Sequence, residues 1–159
     1  MQQLSNQKPT ADVLSCLLIP VQGGRLLLPN VTVAELIPYQ MPQYKEGLPG
    51  WVLGILDWRG TLVPVVSYEQ FIGQKTGAHS QDVRIAVLNT PGEQDKLRFF
   101  GLVVQGIPSL VKLEESTVKE NTQANLLRGQ LMSVTHESGT AIIPDLDAIE
   151  TELLKIAVL

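Results

Sequence analysis

Cysteine, histidine and aromatic residues are scarce in this chain of 159 residues, and its charge never gathers in one place. The single cysteine, Cys16, excludes an internal disulfide and any cysteine metal cluster, and suits a reducing compartment. Aromatic residues make up 5% of the chain, the net charge is −4, and the basic residues are scattered. Nucleic-acid binding needs a basic surface, and single strands need aromatic platforms beside it, so no nucleic-acid partner is expected. No apolar run is long enough to cross a bilayer; residues 14–20 fall well short, so direct membrane insertion is not expected either. Residues 1–13 are mostly polar and lack the apolar centre of a secretion signal. They read as a disordered tail ahead of a single domain over residues 14–155, and the expected location is the cytoplasm.

Catalytic motifs are missing as well. There is no phosphate-cradling glycine loop, no GxSxG, no HExxH and no CxxC. His79 falls in a polar linker and His136 at a turn, where both read as solvated. Cys16 sits in an apolar run with nothing nearby to lower its pKa, so it reads as a buried thiol. Asp145 and Asp147 have the spacing of some metal-binding carboxylate pairs, but anionic residues at a helix N-terminus account for them. A small-molecule or metal-dependent enzyme or sensor built on that end is the alternative function; no metal or cofactor is otherwise expected.

What the chain does contain is a succession of short apolar runs separated by turn residues. The stretch Gly54-Ile55-Leu56-Asp57-Trp58-Arg59-Gly60-Thr61-Leu62-Val63-Pro64-Val65-Val66 reads as a hairpin whose tip presents Asp57, Trp58 and Arg59 together. Pro64 cannot donate to a ladder, which predicts that the second strand is at an edge or bulged. An edge strand beside an arginine and a tryptophan makes a protein-docking surface. Residues 14–21 and 25–29 read as strands around Gln22-Gly23-Gly24, and a third strand starts at Val33. Residues 41–50 form a loop. Ser67 and Gln70 have capping-box spacing and predict a short helix ending at Gly73. The polar residues 74–81 read as a boundary between halves.

Further strands are predicted over 82–88 and 97–104, around a turn at residues 91–95, with Gly101 marking a bulge or a close backbone approach. Residues 111–126 are ambiguous between a helical turn and a loop, while residues 130–135 alternate as a half-exposed strand. A helix over residues 145–154 carries Leu146, Ile149, Leu153 and Leu154 on one stripe, with capping-box spacing at Asp147 and Glu150. The segments Gly60-Thr61-Leu62-Val63-Pro64 and Gly139-Thr140-Ala141-Ile142-Ile143-Pro144 repeat one pattern: glycine turn, apolar strand, proline, cap and helix. The pattern suggests two similar small barrels.

The central stretch resembles the hallmark segment of CheW-like domains, a Gly-apolar-apolar-Asn-Leu-Arg-Gly run followed by an apolar-Pro-apolar strand. Val33-Ala34-Glu35-Leu36-Ile37 resembles the family's Val-x-Glu-Val-Ile segment, and the run from Pro49 to Val52 its Pro-x-x-Val. Phe100-Gly101-Leu102-Val103-Val104-Gln105-Gly106-Ile107 resembles its apolar-Gly-apolar-Val-Val-Asp-x-Val segment. The resemblance spans residues 14–154. It implies an all-β fold of two five-stranded, SH3-like barrels sharing a core, with a short C-terminal helix. It also implies a non-enzymatic adaptor that couples the cytoplasmic tips of methyl-accepting chemoreceptors to the regulatory domain of a CheA-type histidine kinase. In the family the groove between barrels binds the receptor tip and an exposed barrel end contacts the kinase. By matching position, Val33, Glu35 and Arg59 would face the receptor. Arg59 would offer a planar donor fork, Glu35 a second polar anchor, and Leu56 or Trp58 apolar area. Asp57 stands where the family usually has asparagine, Trp58 where it has leucine, and Gln105 where it has aspartate. These departures resemble the ChpC-like adaptors of type IV pilus systems, which implies a role in twitching motility.

Overall fold

The computed structural model describes residues 13–137, 139–156 and 158–159; the expected N-terminal tail lies almost wholly outside them. Among the described residues, eleven strands form two sheets. In chain order the strands are β1 (Val13–Val21), β2 (Gly24–Pro29), β3 (Val33–Pro38), β4 (Val52–Trp58), β5 (Thr61–Val66), β6 (Arg84–Gln94), β7 (Leu97–Val104), β8 (Ser109–Glu114), β9 (Lys119–Glu120), β10 (Gln130–His136) and β11 (Gly139–Pro144). Helix α1 (Tyr68–Phe71) follows β5, and α2 (Leu146–Ile156) follows β11.

One sheet runs β8-β1-β2-β11-β10-β9 and the other β3-β6-β7-β5-β4. Apart from the two-residue β9, they share one pattern. The hairpin β4–β5 lies parallel to β7 through β5, just as β10–β11 lies parallel to β2 through β11. The remaining neighbours are antiparallel in both: β7 with β6 and β6 with β3, β2 with β1 and β1 with β8. The faint repeat in the sequence is therefore a repeat of topology. Residues 74–81 do separate the two repeats along the chain, but they do not separate the barrels. Each barrel takes a hairpin from one repeat and three strands from the other.

Alternation along the strands divides the apolar residues among three clusters. The largest is shared between the sheets and includes Ile19, Leu26, Leu28, Val66, Tyr68, Phe71, Leu88, Phe100, Leu102, Ile149 and Leu153. A second lies inside the first barrel around Cys16, Leu18, Leu27, Leu113, Val134 and Ala141. The third lies inside the second barrel around Ile37, Leu56, Val65, Ile85, Val87 and Val103. Side chains also tie the two repeats together. The Tyr68 hydroxyl donates to the Gly129 carbonyl at 2.9 Å, and the Arg128 guanidinium lies 4.0 Å from the Phe71 ring centre.

Several local expectations are revised. Strand β5 is interior, and β4 is the edge. Pro64 is tolerated there because pairing with β7 begins only at Val65 and Val66. Gly101 is a close approach rather than a bulge: its register with Val87 is regular, and a Cβ would meet Ile85 at 2.9 Å. The β6–β7 turn falls at Asp95 and Lys96, after an irregularity between Asn89 and Gln94, and residues 109–114 form β8.

The cap assignments also change in detail. Ser67 Oγ accepts the Gln70 amide, but the Gln70 side chain donates to Thr76 rather than reaching back. In α2 the cap is Asp145, whose Oδ1 accepts the Ala148 amide at 3.2 Å. Glu150 does not serve a capping box; its carboxylate accepts the Gly92 amide at 2.9 and 3.2 Å and ties α2 to β6. His79 is solvent-exposed, as expected, with its ring 5.4 Å from that of Tyr39 and its Nδ1 3.2 Å from Gln105 Nε2.

Candidate functional site

The central hairpin turns in two residues, and both hold positive φ: 55° at Arg59 and 80° at Gly60. Such a pair matches the right-handed twist of the flanking strands, which is why it suits a two-residue hairpin. Asp57 Oδ1 accepts the Gly60 amide at 2.8 Å and closes the turn from below. Arg59 is thereby held in a conformation uncommon for a residue with a Cβ, with its side chain 71% exposed.

Strands β3 and β4 are the two edges of their sheet and have no backbone pairing with each other. Side chains join them. The Trp58 indole N–H donates to Glu35 Oε1 at 2.8 Å, and Arg59 Nη2 lies 3.0 Å from the same oxygen. Arg59 Cζ stands 5.4 Å from the Trp58 ring centre, within cation–π range. Beneath it, Trp58 meets Phe99 edge-on with 4.9 Å between ring centres, and both rings pack against the end of the second barrel's core. The segment after β3 reinforces the seam, because Gln43 and Ile55 exchange two backbone hydrogen bonds of 2.9 Å.

A register shift between Val33 and Glu35 determines which way Glu35 points. Residues two apart in a regular strand share a face. Here Val33 is paired with Leu88 and packs against the shared core, whereas Glu35 is paired with Val87, whose side chain lies inside the second barrel. The structure therefore brings Glu35, Asp57, Trp58 and Arg59 together and leaves Val33 on the other side of β3. Leu56 is 8% exposed and belongs to the barrel core, so it supports the strand from beneath and offers no surface. Leu62, paired across from Asp57 and 55% exposed, supplies apolar area that sequence reasoning missed. Its alternation with buried Val63 was the available signal. Nothing in the spacing tied Phe99 to Trp58.

At the other end of the molecule, Leu14, Cys16, Leu27, Pro29, Leu113 and Ile143 line an open apolar cup of about 370 Å³ in the first barrel. Burial pushes the Cys16 thiol above its ordinary pKa, so it is a poor nucleophile. Asp145 serves as a helix cap, and among the described residues no group of three or more His, Cys, Asp or Glu is placed to hold a metal ion. No helix among them is long and apolar enough to cross a membrane.

Comparison with known proteins agrees with this architecture. No curated protein matches the chain. The scaffolding protein TtCheW from Thermoanaerobacter tengcongensis has a similar crystal structure, with a TM-score of 0.73 at 17% sequence identity, over 85% of this chain and 90% of that one. Residues 15–153 match the CheW-like domain. With the match running through both barrels and into α2, the chain belongs to the CheW-like family, whose members are non-enzymatic scaffolds and adaptors of chemosensory signalling.

Proposed function

We propose that this protein couples the cytoplasmic tip of a methyl-accepting chemoreceptor to the regulatory domain of a CheA-type histidine kinase, in the cytoplasm. The observation that carries the receptor half of this reading is the Arg59 fork, raised at a rigid hairpin tip and backed by Glu35 and Trp58. Arginine at a preorganised, partly apolar surface is a common anchor of protein interfaces. The open end of the first barrel, apolar and rimmed by Glu114 and Glu115, supports an assignment of the kinase contact to that face. Asp57 and Trp58 in the docking hairpin, and Gln105 after β7, depart from the usual family residues, and this supports placement in a type IV pilus system driving twitching motility.

Affinity measurements with a receptor tip test the first half. Arg59→Ala should weaken binding by about tenfold or more, as loss of an interface arginine does. The melting temperature should barely move, because an exposed ion pair contributes only about 0–1 kcal/mol. Unchanged affinity, or loss of the folded protein, would refute the assignment. Co-purification with the kinase regulatory domain tests the second half. Deletion of the gene should reduce surface twitching and leave swimming intact if the pilus assignment holds.

A further inference from the structure

We infer that the Glu35–Trp58–Arg59 cluster recognises a side-chain carboxamide, an Asn or Gln on the docked helical partner, and that Trp58 is the positioning residue that makes it do so. The inference rests on the docking reading above and specifies the chemistry of that same site.

The Trp58 indole N–H donates to one oxygen of Glu35, and Arg59 Nη2 forms an ion pair with that same oxygen. The other oxygen, Oε2, accepts no hydrogen bond from the described residues. It is not buried either, since among them the one buried side-chain nitrogen or oxygen without a partner is Arg84 Nε. The Glu35 side chain keeps 34% of its surface exposed. Arg59 has a fork of five N–H donors, of which, among the described residues, only the contact to Glu35 is used, and most of its side chain faces solvent. The hairpin tip therefore presents an unused acceptor beside unused donors.

Charge then decides among partner groups. Arg59 is already neutralised by Glu35, and Asp57 adds a further negative charge at the same turn. A partner carboxylate would gain from Arg59 but meet two carboxylates. An ammonium would be drawn to Glu35 and repelled by Arg59. A carboxamide gives its N–H to Glu35 Oε2 and its C=O to Arg59, and brings no charge to desolvate. Trp58 matters because it holds Glu35 in place while Arg59 turns toward the partner. Its own ring is fixed by the edge contact with Phe99. With a side chain lacking the N–H, Glu35 would follow the guanidinium and the outer oxygen would lose its position.

Calorimetric titration of the full chain with a receptor cytoplasmic hairpin tip tests this, using the native tip and versions in which each exposed Asn or Gln becomes Asp or Glu. One such change should weaken binding to the unmodified chain by about tenfold or more, because it sets a carboxylate against Glu35 and Asp57. In Trp58→Phe, which keeps the ring but not the N–H, that ratio should fall to about threefold or less. In Glu35→Gln, which folds independently of the fate of the tryptophan variant, the acidic tip should bind at least as well as the native one. If no carboxamide replacement discriminates, if Trp58→Phe keeps the full ratio, or if Glu35→Gln still rejects the acidic tip, the inference is wrong. A native tip bound equally well by Arg59→Ala, or not bound by the unmodified chain, would instead remove the docking reading on which it stands.

Discussion

A Cβ placed on Gly54 would lie 2.4 Å from the Gln43 carbonyl oxygen, and the residue holds φ at +147°, where other residues are strained. The hallmark glycine is there because the loop after β3 crosses β4 in backbone contact, exchanging hydrogen bonds at Ile55. Gly54→Ala should cost about 2–4 kcal/mol, combining backbone strain with a clash against main chain that cannot rotate away. Urea denaturation measures this, and a loss below about 1 kcal/mol would show that the crossing yields easily.

Tyr68 makes a different single-residue argument. Its phenol is buried, and burial, followed by the negative charges of Glu69 and Asp145, pushes its pKa above the ordinary range. The unfolded chain therefore releases this proton first as the solution becomes alkaline. The contribution is fully present below about pH 10, the ordinary tyrosine value, and is lost as pH rises from there through the raised folded value. Melting temperature should fall more steeply across that window in the unmodified chain than in Tyr68→Phe. At neutral pH the substitution should cost only about 1 kcal/mol, since the Gly129 carbonyl still accepts the Asp145 amide at 2.8 Å.

Among the elements, α2 shows where sequence patterns are informative and where they stop. Its apolar stripe is visible in the spacing, and Ile149 and Leu153 are indeed buried. The choice of cap is not, because Asp145 and Asp147 both suit a helix N-terminus on local grounds. Only the position of the first turn relative to β11 selects Asp145. Asp145→Ala should cost about 1 kcal/mol, the usual loss for a cap, and Asp147→Ala distinctly less. Equal losses in thermal unfolding would contradict the assignment.

The central hairpin divides in the same way. Its turn, and the grouping of Asp57, Trp58 and Arg59, follow from local residue chemistry. The opposite facing of Val33 and Glu35 follows from a register shift against β6, a long-range event with no mark in the residues themselves. Leu56 misleads for a related reason. In an edge strand that closes a barrel, every second residue is inside, and sequence alone does not show which.

The whole molecule is built by exchange between two sequence repeats. The turn and strand chemistry made the repeats legible, but which strands pair with which was not, since pairing between distant segments leaves no local trace. A consequence for stability is that the barrels share one fate. Cys16 reports on the first barrel, while Trp51 and Trp58 report on the shared core and the second barrel. Thiol exposure at Cys16 and tryptophan fluorescence should give coincident urea transitions. Two separated midpoints would mean that the barrels unfold independently.

The same exchange orders events during synthesis. The strands of the second barrel come from one continuous stretch, from β3 through β7, and all of them precede β8 to β11 in the chain. The leucine-rich hairpin β1–β2 emerges earlier than any of them, yet its parallel neighbour β11 is made after all of them. The newborn chain thus holds this hairpin without β8 beside β1, and for longer without β11 beside β2, until those segments have been made. That interval is when chaperones have most to protect.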